Sequence, residues 1–255
     1  MFPKKFILRP MEYYAAPWSC LGMRKRMLLF ALALSGNVVA AERVPVLVEL
    51  FTSEGCSSCP PADRLLERLD RESPSRIDAI VLSEHVDYWN SLGWRDPFSS
   101  AAMTQRQRDY ARRLGGDVYT PEMVVDGARG FVGSNSSEAL QALAEAADRT
   151  KAVIRVDVAP AGSKSRISVH LERPVAGTLF VALARDAMRS KVTAGENSGK
   201  NLTHVAVVYS LVRVGRMDGL ERTVDVDQVV PGARVVAFVS DGVGGAVLAL
   251  GSARP

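Results

Sequence analysis

The chain has 255 residues, 47% apolar and 24% charged, with a formal net charge of +4. That length and composition fit one or two globular domains with ordinary cores and exclude a low-complexity chain. The positive charge is local: residues 1–41 hold Lys4, Lys5, Arg9, Arg24, Lys25 and Arg26 against Glu12 alone, and the remainder is close to neutral. Neither nucleic acid nor an anionic membrane surface is therefore expected as the main partner.

In chain order, Arg24-Lys25-Arg26, the apolar run MLLFALAL (27–34) and Val39-Ala40-Ala41 follow the plan of a secretory signal peptide. The run is about half of the ~20 residues that a bilayer-spanning helix needs, and a retained anchor is the alternative. Residues 1–22 place Pro3, Pro10 and Pro17 ahead of the charged region, outside that plan, so Met23 is the expected start of translation. Residues 1–41 are thus expected to be an N-terminal extension and leader, cleaved to release an exported protein with no membrane attachment. Cys20 leaves with them, and Cys56 and Cys59 are the cysteines of the mature chain.

Residues 46–51 (VLVELF) read as a buried strand and 52–55 (TSEG) as a turn. Pro60 and Pro61 fit only the first turn of a helix, whose apolar stripe is Leu65, Leu66 and Leu69. A second strand is predicted over 77–86, a polar and aromatic loop over 87–100, and a helix over 101–114 that ends at Gly115-Gly116. Residues 119–127 (YTPEMVVDG) read as a strand closed by an Asp-Gly turn, with Phe131-Val132 as hairpin partner. Residues 136–149 open with Ser and Glu near capping spacing and continue as a helix. The order β-α-β-α-β-β-α is that of the thioredoxin fold, and it predicts an α/β thioredoxin-like domain over 43–150. Beyond residue 151, stretches at 152–158, 166–172, 178–184, 202–215, 223–229, 234–240 and 246–250 alternate or run apolar. They predict an all-β sandwich domain over 151–255.

The chemistry concentrates at Cys56-Ser57-Ser58-Cys59. The thiolate is the attacking species, and at an unperturbed pKa of about 8.5 only roughly 3% is ionised at neutral pH. A helix N-terminus favours the anion, and Cys56 falls at one. Cys56 is therefore the expected nucleophile and Cys59, one turn on, the resolving cysteine. An inert structural disulfide is the alternative. Pro60 after the second cysteine excludes a haem-attachment motif, and two cysteines are too few for a structural zinc site. Parallel strands one and two end on the same sheet edge, which brings the loop with Asp87, Tyr88, Trp89, Trp94 and Phe98, and His85 before it, towards the pair as a wall for substrate. Packing of those rings on the sheet is the other reading. His85 with Cys56 and Cys59 also makes a soft-ligand set suited to copper(I), the alternative to redox chemistry.

Thr120-Pro121 resembles the cis-proline element of thioredoxin-fold proteins, which lies beside the cysteine pair, contacts bound peptide and keeps metals from the thiols. Residues 48–59 are locally similar to the glutaredoxin active-site turn, departing from it in Ser57-Ser58. The position of Glu49 resembles, with one inserted residue, that of the buried acid through which thioredoxins shuttle a proton to the resolving cysteine. An exposed strand glutamate is the other reading. Residues 49–61 (ELFTSEGCSSCPP), 85–98 (HVDYWNSLGWRDPF), 119–127 and 195–200 (GENSGK), with His204 after them, resemble the bacterial secreted family called domain of unknown function 1223. The resemblance implies a thioredoxin-like domain and export to the periplasm or medium. The expected activity is thiol–disulfide exchange with exported proteins or small thiols, without a bound cofactor and with a separate redox partner to recharge the pair. His170 and His204 are given no role beyond an interdomain contact for His204.

Overall fold

The computed structural model describes residues 43–255. The leader and the start at Met23 lie outside the described residues. No helix among the described residues is long and apolar enough to cross a membrane.

The first half runs β1 (Val44–Thr52), α1 (Pro60–Arg71), β2 (Ile77–His85), α2 (Ala101–Leu114), β3 (Glu122–Val125), β4 (Arg129–Val132) and α3 (Ser136–Ala147). β1 pairs in parallel with β2 and antiparallel with β3, which pairs antiparallel with β4. Pro60 and Pro61 open α1, where no helical N–H is lost, and Leu65, Leu66 and Leu69 are buried. Ser100 caps α2 by accepting from the Met103 N–H, and Gly115 closes it in the left-handed conformation. α3 is capped by Asn135, one residue earlier than the sequence reading: its Oδ1 accepts from the Glu138 N–H, and its Nδ2 donates to the Glu138 carboxylate.

Nine strands follow, two more than the apolar stretches indicated: β5 (Ala152–Ala161), β6 (Lys164–Leu171), β7 (Gly177–Arg185), β8 (Met188–Lys191), β9 (Asn201–His204), β10 (Val207–Met217), β11 (Glu221–Asp227), β12 (Arg234–Ser240) and β13 (Val247–Ala253). The stretch 202–215 breaks at Ala206, whose φ is 48°, into β9 and β10. β9 pairs with the short β8 in a separate ribbon.

These strands do not build a separate sandwich. β10 pairs with β2 at Val207 and Ser83, producing one eleven-stranded mixed sheet in the order β11-β6-β5-β13-β12-β7-β10-β2-β1-β3-β4. β7 and β12 are buried on both faces, which is why each reads as an unbroken apolar run. One face (Phe180, Ala182, Ala184, Val236, Phe238) joins the core built by β1, β2 and the helices. The other (Leu179, Val181, Leu183, Val235, Ala237, Val239) packs with residues of β5, β6 and β11, so the sheet curls back over itself.

Candidate active site

β1 delivers the chain into the turn that carries Cys56 and Cys59. The two form a disulfide with their Cα atoms 5.4 Å apart. Cys59 caps α1, and its carbonyl accepts from the N–H groups of Ala62 and Asp63. Pro60 and Pro61 contribute no N–H to this helix end, so the donors nearest to Cys56 are those of the turn itself. Among them, the Ser57 N–H donates to Glu196 Oε2 at 3.0 Å. Both cysteines are fully buried, whereas Ser57 and Ser58 between them are exposed.

The Thr120–Pro121 peptide bond is cis, as the resemblance implied. Thr120 Oγ1 accepts from Trp89 Nε1 at 2.8 Å, which ties the aromatic loop to this element. A Cβ on Gly133 would lie 2.7 Å from Leu50 Cδ1, 3.2 Å from Ala62 Cβ and 3.3 Å from Pro121 Cβ, so β1, α1 and the proline segment meet closely around it.

The loop after β2 folds onto the cysteine turn. Trp94 Nε1 donates to Glu54 Oε2 at 2.9 Å, and the Glu54 N–H donates to Asp96 Oδ2 at 2.9 Å. Asp96 also holds His85 Nδ1 at 2.7 Å. Burial pushes the Asp96 carboxyl up, but His85 and the backbone donors outweigh it and leave the pKa below the ordinary value. Tyr88 donates to Gln107, and burial pushes its phenol up to about 12. The polar ends of these aromatic side chains are therefore committed to holding the loop in place.

The second half of the chain supplies the rest. His204 on β9 is buried, with Nε2 3.3 Å from Glu54 Oε1 and Nδ1 3.8 Å from Asp63 Oδ1, one carboxylate on each side of the cysteine turn. Burial would lower its pKa, but the two carboxylates overcome that and raise it to about 9, so the ring is cationic at neutral pH. Ser190 donates to Glu54 as well. Asn197, also buried, donates through Nδ2 to the carbonyl oxygens of Glu54 and Cys56, each at 2.8 Å. The sequence reading missed Glu54, Asp63, Asp96, Ser190, Glu196, Asn197 and His204 as parts of this site. The segment 195–200 and His204 stood among the motifs of the family resemblance, but their distance in sequence hid the contact.

Two expectations change. Glu49 is buried rather than exposed, yet it faces α2: Arg106 Nε lies 2.5 Å from its Oε1, and Tyr110 donates to its Oε2. Its neighbour Leu50 faces Ala62 of α1. Strand alternation thus puts Glu49 on the side of the sheet away from the helix that carries Cys59. The copper set Cys56, Cys59 and His85 is not assembled either. His85 is turned to Asp96 and His204, both sulfurs are joined, and no three Cys, His, Asp or Glu side chains converge for a metal among the described residues.

A profile of the family described as Protein of unknown function (DUF1223) matches residues 47–240. A thioredoxin of Methanocaldococcus jannaschii is 30% identical over 95 residues, which are 37% of this chain and 87% of that protein. The X-ray structure of a protein from Agrobacterium tumefaciens is 29% identical with a TM-score of 0.66, covering 84% of this chain and 95% of that one. HBP35 of Porphyromonas gingivalis, at 12% identity and a TM-score of 0.60 over 84% of this chain and 76% of its own, shares the fold.

Proposed function

For a chain that belongs to the family described as Protein of unknown function (DUF1223), we propose thiol–disulfide exchange at Cys56 and Cys59. The observation that carries this reading is the placement of a bonded cysteine pair between β1 and α1, in a chain with a cis Thr120–Pro121 bond and a thioredoxin relative. In the oxidising direction a substrate thiolate attacks the Cys56 sulfur and Cys59 leaves as a thiolate. A second substrate thiolate then attacks its own sulfur in the mixed disulfide, forming the substrate disulfide and leaving both cysteines reduced. The reverse sequence reduces a substrate disulfide. A separate redox partner restores the pair. The leader-like pattern of residues 23–41 supports export, and the proposed substrates are exported proteins or small thiols of the periplasm or medium.

Catalysed reduction of a protein disulfide by a dithiol, and catalysed oxidation of a reduced protein, test both directions. Activity in one of them that is lost in Cys56→Ser supports the proposal. Cys59→Ser should instead trap a mixed disulfide at Cys56. Complete burial of both cysteines favours a second reading, a scaffold with an idle disulfide. It predicts no turnover in either assay and full tolerance of serine at both positions.

A further inference from the structure

The cysteine turn is held from outside the thioredoxin-like half. Residues 195–200, between β8 and β9, form a compact turn closed by Ser198 N–H to Gly195 O and Gly199 N–H to Val192 O. A Cβ on Gly195 would sit 3.1 Å from Trp94 Cβ, so this segment packs directly on the aromatic loop. Asn197 is buried and fully used: Nδ2 serves the carbonyls of Glu54 and Cys56, and Oδ1 accepts from Lys200 Nζ at 2.8 Å. Glu196 is exposed, its carboxylate lies on the Ser57 N–H beside Cys56, and Ser57, through its side chain first and then its backbone, holds the Glu196 pKa below the ordinary value. A thiol approaching Cys56 past the exposed Ser57-Ser58 corner therefore meets a fixed negative charge.

We propose that residues 195–200 are the entrance wall of the disulfide site: Asn197 holds the cysteine turn closed over the sulfurs, and Glu196 selects by charge, admitting cationic and neutral thiols ahead of anionic ones such as glutathione. The inference names the substrate class of the proposed exchange reaction and rests on that reading for its biological meaning. Its chemistry is a single event: an incoming thiolate bonds to the Cys56 sulfur, the Cys56–Cys59 bond breaks, and Cys59 takes the electron pair and then a solvent proton. Lys200, the cation next to this charge within the segment, is engaged with Asn197.

The test is the rate at which the oxidised full chain reacts with cysteamine and with glutathione, at matched thiolate concentration and low ionic strength, read by alkylation and mass. The ratio of the two rates is divided by the same ratio for a neutral small disulfide. A preference for cysteamine of about tenfold is expected from one charge at the entrance. It should shrink towards one in Glu196→Gln and in high salt, because an exposed charge is screened. Asn197→Ala should accelerate both thiols, and the Lys200 ammonium it releases beside Glu196 should narrow their ratio. Absence of the preference, or its persistence in Glu196→Gln, overturns the selection. Unchanged rates in Asn197→Ala, with a native circular dichroism spectrum, overturn the clamp. Glu196→Gln alters one exposed side chain and keeps the charge arm readable if Asn197→Ala does not fold. Each reaction is a single event, so the result is independent of turnover: loss of catalysis with the charge preference intact would sink the enzyme and leave the wall standing.

Discussion

His204 Nε2 lies 3.3 Å from Glu54 Oε1, an imidazole 150 residues downstream closing one side of the cysteine turn. Its raised pKa makes it a stabilising charge with a defined pH window. Stability from a group held at about 9 when folded, against an ordinary 6.5, is fully present below 6.5 and is lost as the pH rises through 9. The whole shift corresponds to about 3 kcal/mol at most. Denaturant unfolding between pH 6 and 10 should show this decline, and His204→Gln should start lower and lose that part of the slope. An identical slope in the variant would remove His204 from the account.

Arg106 should matter for stability and not for thiol chemistry. Its guanidinium pairs with Glu49, lies 3.5 Å from Glu84 Oε1, and stacks over Tyr110, Phe180 and Phe238. Both Glu84 oxygens lack a hydrogen-bond partner, and burial, with Glu49 beside it, pushes the Glu84 pKa well above the ordinary carboxylate range. Arg106→Met leaves Glu49 buried without its countercharge and should destabilise by about 3–5 kcal/mol in urea. Glu49→Gln should leave the thiol pKa of Cys59 unchanged, read by alkylation rate against pH. A marked shift would restore Glu49 as the proton relay.

Residues 43–150 alone should not fold to a stable domain. Phe180, Ala182, Val236 and Phe238 share the core of β1 and β2, and β2 loses its β10 neighbour in the truncation. Limited proteolysis and amide NMR of that fragment should find no protected core, while residues 43–255 resist. A fragment with cooperative unfolding would instead establish the boundary at 150.

The local half of this architecture was legible in the sequence. Pro60-Pro61 after the cysteines, the leucine stripe of α1 and the Asp126-Gly127 turn are decided by neighbours within a few residues. The sandwich reading failed because apolar runs such as those of β7 and β12 fit any strand buried on two faces, and nothing local says that one of those faces belongs to the first half. The site divides the same way. Cys56, Cys59, Thr120 and Pro121 carry recognisable spacing, whereas Asn197, Glu196 and His204 reach the turn only through the pairing of β8 with β9.

The reduction potential of the Cys56–Cys59 couple decides between an exchanging pair and an idle one, and is read by equilibrating the full chain in dithiol buffers and counting alkylated cysteines by mass. An exchange-active pair should fall between about −120 and −270 mV, the span of known thiol oxidases and reductases. A value below about −300 mV, where structural disulfides lie, would contradict the account.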